Sequence, residues 1–180
     1  MPKEAVIKKY LPEFVYGGID GAVTTFAVVM GATGASLSSA TVLILGFANL
    51  IADGFSMATS NYLAVKAEAE LHVHHKDYRN YIKKIKHPLK SATATFLSFF
   101  LIGLIPLLSF LLALFIPYFN ANKITYSIIL TGVALASVGG IKGELLRKHP
   151  VRASLETLVI GGIAAALAFF VGYALRSFGV

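Results

Sequence analysis

The 180-residue chain contains no cysteine. That excludes a disulfide framework and any thiolate metal site, and it leaves the redox compartment open. Charge is scarce as well: only 14% of residues are Asp, Glu, Lys or Arg, against 56% hydrophobic, and mean hydropathy is +0.72. Soluble domains carry about 25% charged residues, so a water-soluble globule is excluded and the chain reads as a membrane protein. No internal repeat or low-complexity tract interrupts it. No Ser-His-Asp set, H-E-x-x-H or phosphate-binding loop is present, so a membrane enzyme is not expected. The basic start "MPKEAVIKKYLPEF" lacks the small-residue cleavage site of a signal peptide. It is expected to be retained as a short amphipathic segment on the membrane surface, running into the first span.

What is present is a series of apolar runs, at about 14–35, 39–66, 92–116, 124–141 and 154–176. Each is long enough to cross roughly 30 Å of hydrocarbon. Open sheets cannot satisfy their backbones in lipid, and the runs are too continuous for barrel strands. The expected fold is therefore all-α: one integral membrane bundle of five transmembrane helices, with a short basic segment at 67–91 and no second domain. Pro106, inside the third run, is expected to kink that helix. Glycines in "YGGIDG", "SVGGIKG" and "VIGGIAAALA" mark faces for close helix packing, within the chain or across a subunit interface.

Fourteen of the sixteen Lys and Arg residues fall on one side of this arrangement, leaving only Lys123 and Arg176 on the other. Basic residues near span ends stay cytoplasmic, which predicts an inside amino terminus and an outside carboxyl terminus. The net charge of +7 is thus a topology signal. Its natural partner is the anionic surface of the lipid bilayer, and no nucleic-acid partner is expected.

Two carboxylates break the apolar pattern. Asp20 lies in the first run and Asp53 in the second, where Asn49, Asp53, Met57 and Asn61 recur every four residues along one helical face beside Ser56 and Ser60. If the hairpin turns between the two runs near residues 36–38, Asp20 and Asp53 lie at similar depth. An ionised carboxylate in hydrocarbon costs at least ~2.5 kcal/mol, so each acid needs a proton, water, a partner or a cation. Every Lys and Arg lies at or beyond a span end, and an intramembrane salt bridge is not expected. The plain reading is a pair of protonated or helix-capping acids. The functional reading is a metal site of Asp20, Asp53, Met57 and Asn49, whose oxygens and thioether suit Fe²⁺, Mn²⁺ or Co²⁺ better than Na⁺ or Ca²⁺.

"GGIDGAVTTFAVVMGATGA" followed by "GFANLIADGFSMATSNYLAVKAEAE" resembles the vacuolar iron transporter family, which has a D-G-x-x-T-x-F element in its first span and an S-M-x-x-x-x-Y-L-x-x-K-x-E element in its second. The likeness continues in "FLIGLIPLL" and "HPVRASLETLVIGGIAAALAFFVG". The resemblance implies the same five-span topology and a homodimer that exports Fe²⁺, and often Mn²⁺, from the cytosol in exchange for protons. It implies that Asp20 and Met57 line the pathway at the dimer interface, with no bound cofactor beyond the transported ions. Where plant and parasite members carry a pathway Glu, this chain has Asn49, with Asp53 one turn later. It also lacks the long Glu-rich cytoplasmic domain of eukaryotic members, so it resembles a short prokaryotic-type member, expected in the cell membrane. A passive metal or proton channel is the alternative expectation.

In place of that domain stands "ELHVHHKD". On a continued helix Glu68, His72 and His75 share one face, which makes them either a cytoplasmic metal entry site or a hydrated segment that binds nothing specific.

Overall fold

The structure, a computed structural model, describes residues 3–71 and 86–179, with side chains from residue 9 onward. The described chain is helical throughout: α1 (Lys3–Gly34), α2 (Ser39–Leu71), α3 (Pro88–Gly103), α4 (Ile105–Phe115), α5 (Pro117–Asn120), α6 (Lys123–Leu145) and α7 (Pro150–Ser177). Local chemistry sets the boundaries. Pro88, Pro117 and Pro150 each open a helix, where a missing N–H costs nothing and the fixed φ suits the first turn. The turn between α1 and α2 closes through Ser36 at φ 55°, and Ser38 Oγ caps α2 by accepting from Thr41 N at 3.2 Å.

α1, α2, α6 and α7 are each long and apolar enough to cross a membrane, and α3–α4 makes a fifth span, bent by 48°, when the two are taken together. The bend falls at Leu104, two residues before Pro106, which cannot donate to the preceding turn. Ser127 Oγ of α6 donates to the Pro106 carbonyl at 2.7 Å and so ties the break to its neighbour.

α1 is one continuous helix from Lys3 into the first span, with Pro12 inside it. The reason lies in its contacts: Tyr10 Oη accepts from His87 N at 3.1 Å, and Glu13 takes hydrogen bonds from Lys86 and Ser91, so this stretch is held against the start of α3. The second span extends past residue 66, to Leu71.

α1 is the central helix, touching α2, α3, α4, α6 and α7. Val29, Ala32, Val42, Leu43, Leu50, Phe99, Leu107 and Phe110 form the main core. Glycine brings the backbones together at Gly21, where a Cβ would land on the Phe99 carbonyl of α3. Ile44, Ile51, Phe55, Leu101, Leu167 and Phe170 are exposed on the outside, as suits helices solvated by lipid.

The described cations divide between the two ends of the bundle. Lys86 and Lys142, paired with Glu13 and Glu156, lie at the end where α1 begins. Arg176 reaches Ser36 at the opposite end, and Lys123 shares a cavity there with Thr33 and Ser36.

Candidate intramembrane metal site

The hairpin of α1 and α2 fixes the depth of both aspartates. Asn49 Nδ2 donates to Thr25 Oγ1 at 3.4 Å. Antiparallel helices in that register put Asp20 level with residue 54, beside Asp53. Both acids are half-buried. Three described ion pairs join Lys66 to Glu70, Lys86 to Glu13 and Lys142 to Glu156, and none of them takes up Asp20 or Asp53.

Of the other expected ligands, Asn49 is committed to Thr25 through its amide nitrogen, which leaves the amide oxygen as its acceptor face. Met57 is half-buried and packs against the core. One turn further along, Asn61 Oδ1 is buried with no hydrogen-bond partner. The Thr24 hydroxyl is occupied, donating to the Asp20 carbonyl at 2.9 Å. Glu68 lies exposed near the end of α2, while His72 and His75 fall outside the described residues. Among the described residues no three His, Asp or Glu side chains converge on one point, so the two aspartates form a pair rather than a complete acidic shell.

Asp20 also lines a cavity of about 430 Å³ between α1, α6 and α7, together with Tyr16, Val23, Lys142, Leu145 and Ile160. Lys142 is the group that reasoning from the sequence undervalued. It pairs with Glu156 at 3.7 Å. Its place in the wall of the Asp20 cavity was not expected, because a lysine near the end of a span was counted as outside it. The available signal was its long aliphatic stem, which lets a span-end lysine run along apolar surface.

The second residue missed is Glu13, only 6% exposed, with Oε1 accepting from Lys86 Nζ at 2.6 Å and Ser91 Oγ at 2.8 Å. Its Oε2 is buried without a partner. Glu13, Gly17 and Gly21 recur every four residues, and that spacing was the readable sign: a glutamate on the same face as two glycines sits where a neighbouring helix comes close.

A helical membrane bundle with paired acids at matching depth in its first two spans belongs to the class of membrane transport proteins, in which ionisable residues within the bilayer mark ion pathways. Comparison with known proteins gives the particular family. The sequence model of the VIT family matches residues 11–80 and 70–173, and the chain belongs to that family. Among curated relatives it is 31% identical over 167 residues to the vacuolar iron transporter homolog 4 of Arabidopsis thaliana, covering 89% of this chain and 81% of that protein. It is 26% identical over 230 residues to the vacuolar iron transporter of Plasmodium berghei (strain Anka), covering 94% and 84%. To the vacuolar iron transporter of Centaurea cyanus it is 28% identical over 210 residues, covering 87% and 84%.

Proposed function

We propose that this protein exports Fe²⁺, with Mn²⁺ as a second substrate, from the cytosol in exchange for protons, as a homodimer in the cell membrane of a prokaryote. The observation that carries the reading is the α1–α2 register, which brings Asp53 to the level of Asp20, with neither acid in a described ion pair. Two carboxylates at one level of a low-dielectric bundle are costly to keep ionised without a cation, so a divalent metal and protons are alternative ways of neutralising them.

Asp20 and Asp53 supply hard oxygens, Asn49 an amide oxygen and Met57 a thioether, a mixed set that favours Fe²⁺ over alkali and alkaline-earth ions. The partial exposure of both acids leaves room for a second copy of the chain to complete the coordination. The end bearing Lys86, Lys142 and Lys148 faces the cytosol by the positive-inside rule, so metal enters there and leaves at the Ser36 end. The names of the relatives, vacuolar iron transporters, support iron as the cargo.

The test is metal flux and internal pH recorded in the same proteoliposomes. Wild type is expected to move Fe²⁺ with opposing proton movement, and Asp20→Asn to abolish both while the protein still folds. Metal flux without any proton movement would support a passive channel and overturn the coupling.

A further inference from the structure

We infer that Lys142 is a tethered counter-ion shared between Glu156, its partner in this structure, and Asp20, where it competes with metal. The inference rests on the reading of Asp20 as a metal ligand.

The helix register supports it. A Cβ on Gly18 of α1 would lie 3.7 Å from Val138 Cγ1 of α6, while one on Gly161 would lie 3.5 Å from Val23 and 2.5 Å from Leu135. Residues 18 and 138 are therefore level, as are 23 and 135, and the two helices run antiparallel. From the first of these levels Asp20 lies two residues toward one end and Lys142 four residues toward the other, an axial offset of about 9 Å. Every Cα–Cβ bond in a helix leans toward that helix's own amino terminus. In antiparallel neighbours Asp20 and Lys142 therefore lean toward each other across the offset, and the four-carbon stem of lysine covers most of it. Both side chains line the same 430 Å³ cavity, whose wall is otherwise mainly apolar.

The present partner of Lys142 holds it loosely. Glu156 Oε2 stands 3.7 Å away, with the glutamate side chain 57% exposed, a geometry in which an ion pair contributes little. Nor does Glu156 need Lys142. It lines a second cavity, of about 220 Å³, with Lys148 and Arg152, and Arg152 is one turn away on the same helix. Asp20 has no such reserve among the described residues, where no ion pair includes it. A lysine held loosely by a well-supplied acid can exchange onto an unsupplied one beside it, and a divalent ion bound there competes with it. Metal binding is thereby linked to remaking the contact between α6 and α7.

The experiment measures Mn²⁺ binding to the full chain in lipid nanodiscs, using Mn²⁺ alone as the probe. Lys142→Met removes the competitor, so the Kd should fall by at least about threefold, the scale of a charge term at a partly hydrated site. Glu156→Gln releases Lys142 to Asp20, so the Kd should rise by a similar factor. The double variant should match Lys142→Met alone, since Glu156 acts only through the lysine. A purely structural role would weaken binding in both single variants. Glu156 is exposed enough that its variant tests the idea even if Lys142→Met fails to fold, and an unchanged or lower Kd for Glu156→Gln overturns the counter-ion role. Asp20→Asn separates the two proposals. If it leaves Mn²⁺ binding intact, the metal-site reading fails. If it abolishes binding while Glu156→Gln has no effect, only the counter-ion role fails.

Discussion

Lys86 Nζ stands 2.6 Å from Glu13 Oε1, an ion pair that spans 73 positions of sequence and fastens α1 to the start of α3. The glutamate side chain is 6% exposed and the lysine side chain 31%, so the carboxylate depends on the lysine more than the lysine depends on it. The same clamp includes Ser91 Oγ, which donates to Glu13 Oε1, and the Tyr10 hydroxyl, which accepts from His87 N. The segment that links α2 to α3 is anchored to α1 at its downstream end.

Removing the two partners should therefore have unequal effects. Lys86→Met strands a buried carboxylate, a change that costs ~3 kcal/mol, the low end of the range for a broken buried pair because the lysine is partly hydrated. Glu13→Gln keeps an acceptor for Ser91 and frees a lysine that can reach water, so it should cost about 1 kcal/mol. Thermal unfolding of the detergent-solubilised protein should rank wild type above Glu13→Gln and Glu13→Gln above Lys86→Met. The reverse order of the two variants would show that the lysine, not the acid, is the dependent partner.

The second prediction concerns the residue next to Asp20. A methyl group on Gly21 would collide with the Phe99 carbonyl, and one on Gly103 would lie 2.8 Å from the Gly21 carbonyl, so α1 and α3 meet backbone to backbone at this level. Gly21→Ala must push the helices apart, costing ~1–3 kcal/mol as an overpacked contact and moving Asp20 with the displaced turn. Gly162 is the control, because a Cβ there meets nothing within 4 Å. Gly162→Ala should be neutral or stabilising by up to ~1 kcal/mol, since alanine is the better helix former. The melting temperatures and Fe²⁺ uptake of the two variants should diverge; equal behaviour would mean that the α1–α3 contact does not set the position of Asp20.

The membrane class, the apolar spans, the break near Pro106 and the matching depth of Asp20 and Asp53 were all legible in the sequence. Each depends on one run of residues or one hairpin, where periodicity, proline chemistry and helix rise suffice. Glu13 and Lys142 were legible only as hints, from glycine spacing and from a long stem, and their surroundings were not, for a shared physical reason. The environment of Glu13 is made by Lys86, just before α3, and Ser91 within it, and that of Lys142 by a cavity with walls from α1, α6 and α7. Reading each span alone treats charges near its ends as solvated. Packing against other spans decides which of them are.

The last prediction is that the proposed second copy of the chain docks on α2. On α2 the exposed residues Ala48, Ala52 and Ser56 form a row at spacing four, immediately beside Asn49, Asp53 and Met57. Small side chains in such a row let another helix come close in lipid, where close packing replaces the hydrophobic effect as the driving force. In a two-fold dimer, residues near the axis meet their own copies, so a cysteine on this row should be linked to itself by a short-reach reagent. The natural chain has no cysteine, which makes single-cysteine variants free of background. Ala52→Cys is expected to give covalent dimers in native membranes. Leu167→Cys, on the exposed outer face of α7, is expected to stay monomeric. Dimers through residue 167 and none through residue 52 would place the interface on α7, leave Asp53 facing lipid, and remove the second copy from the metal site.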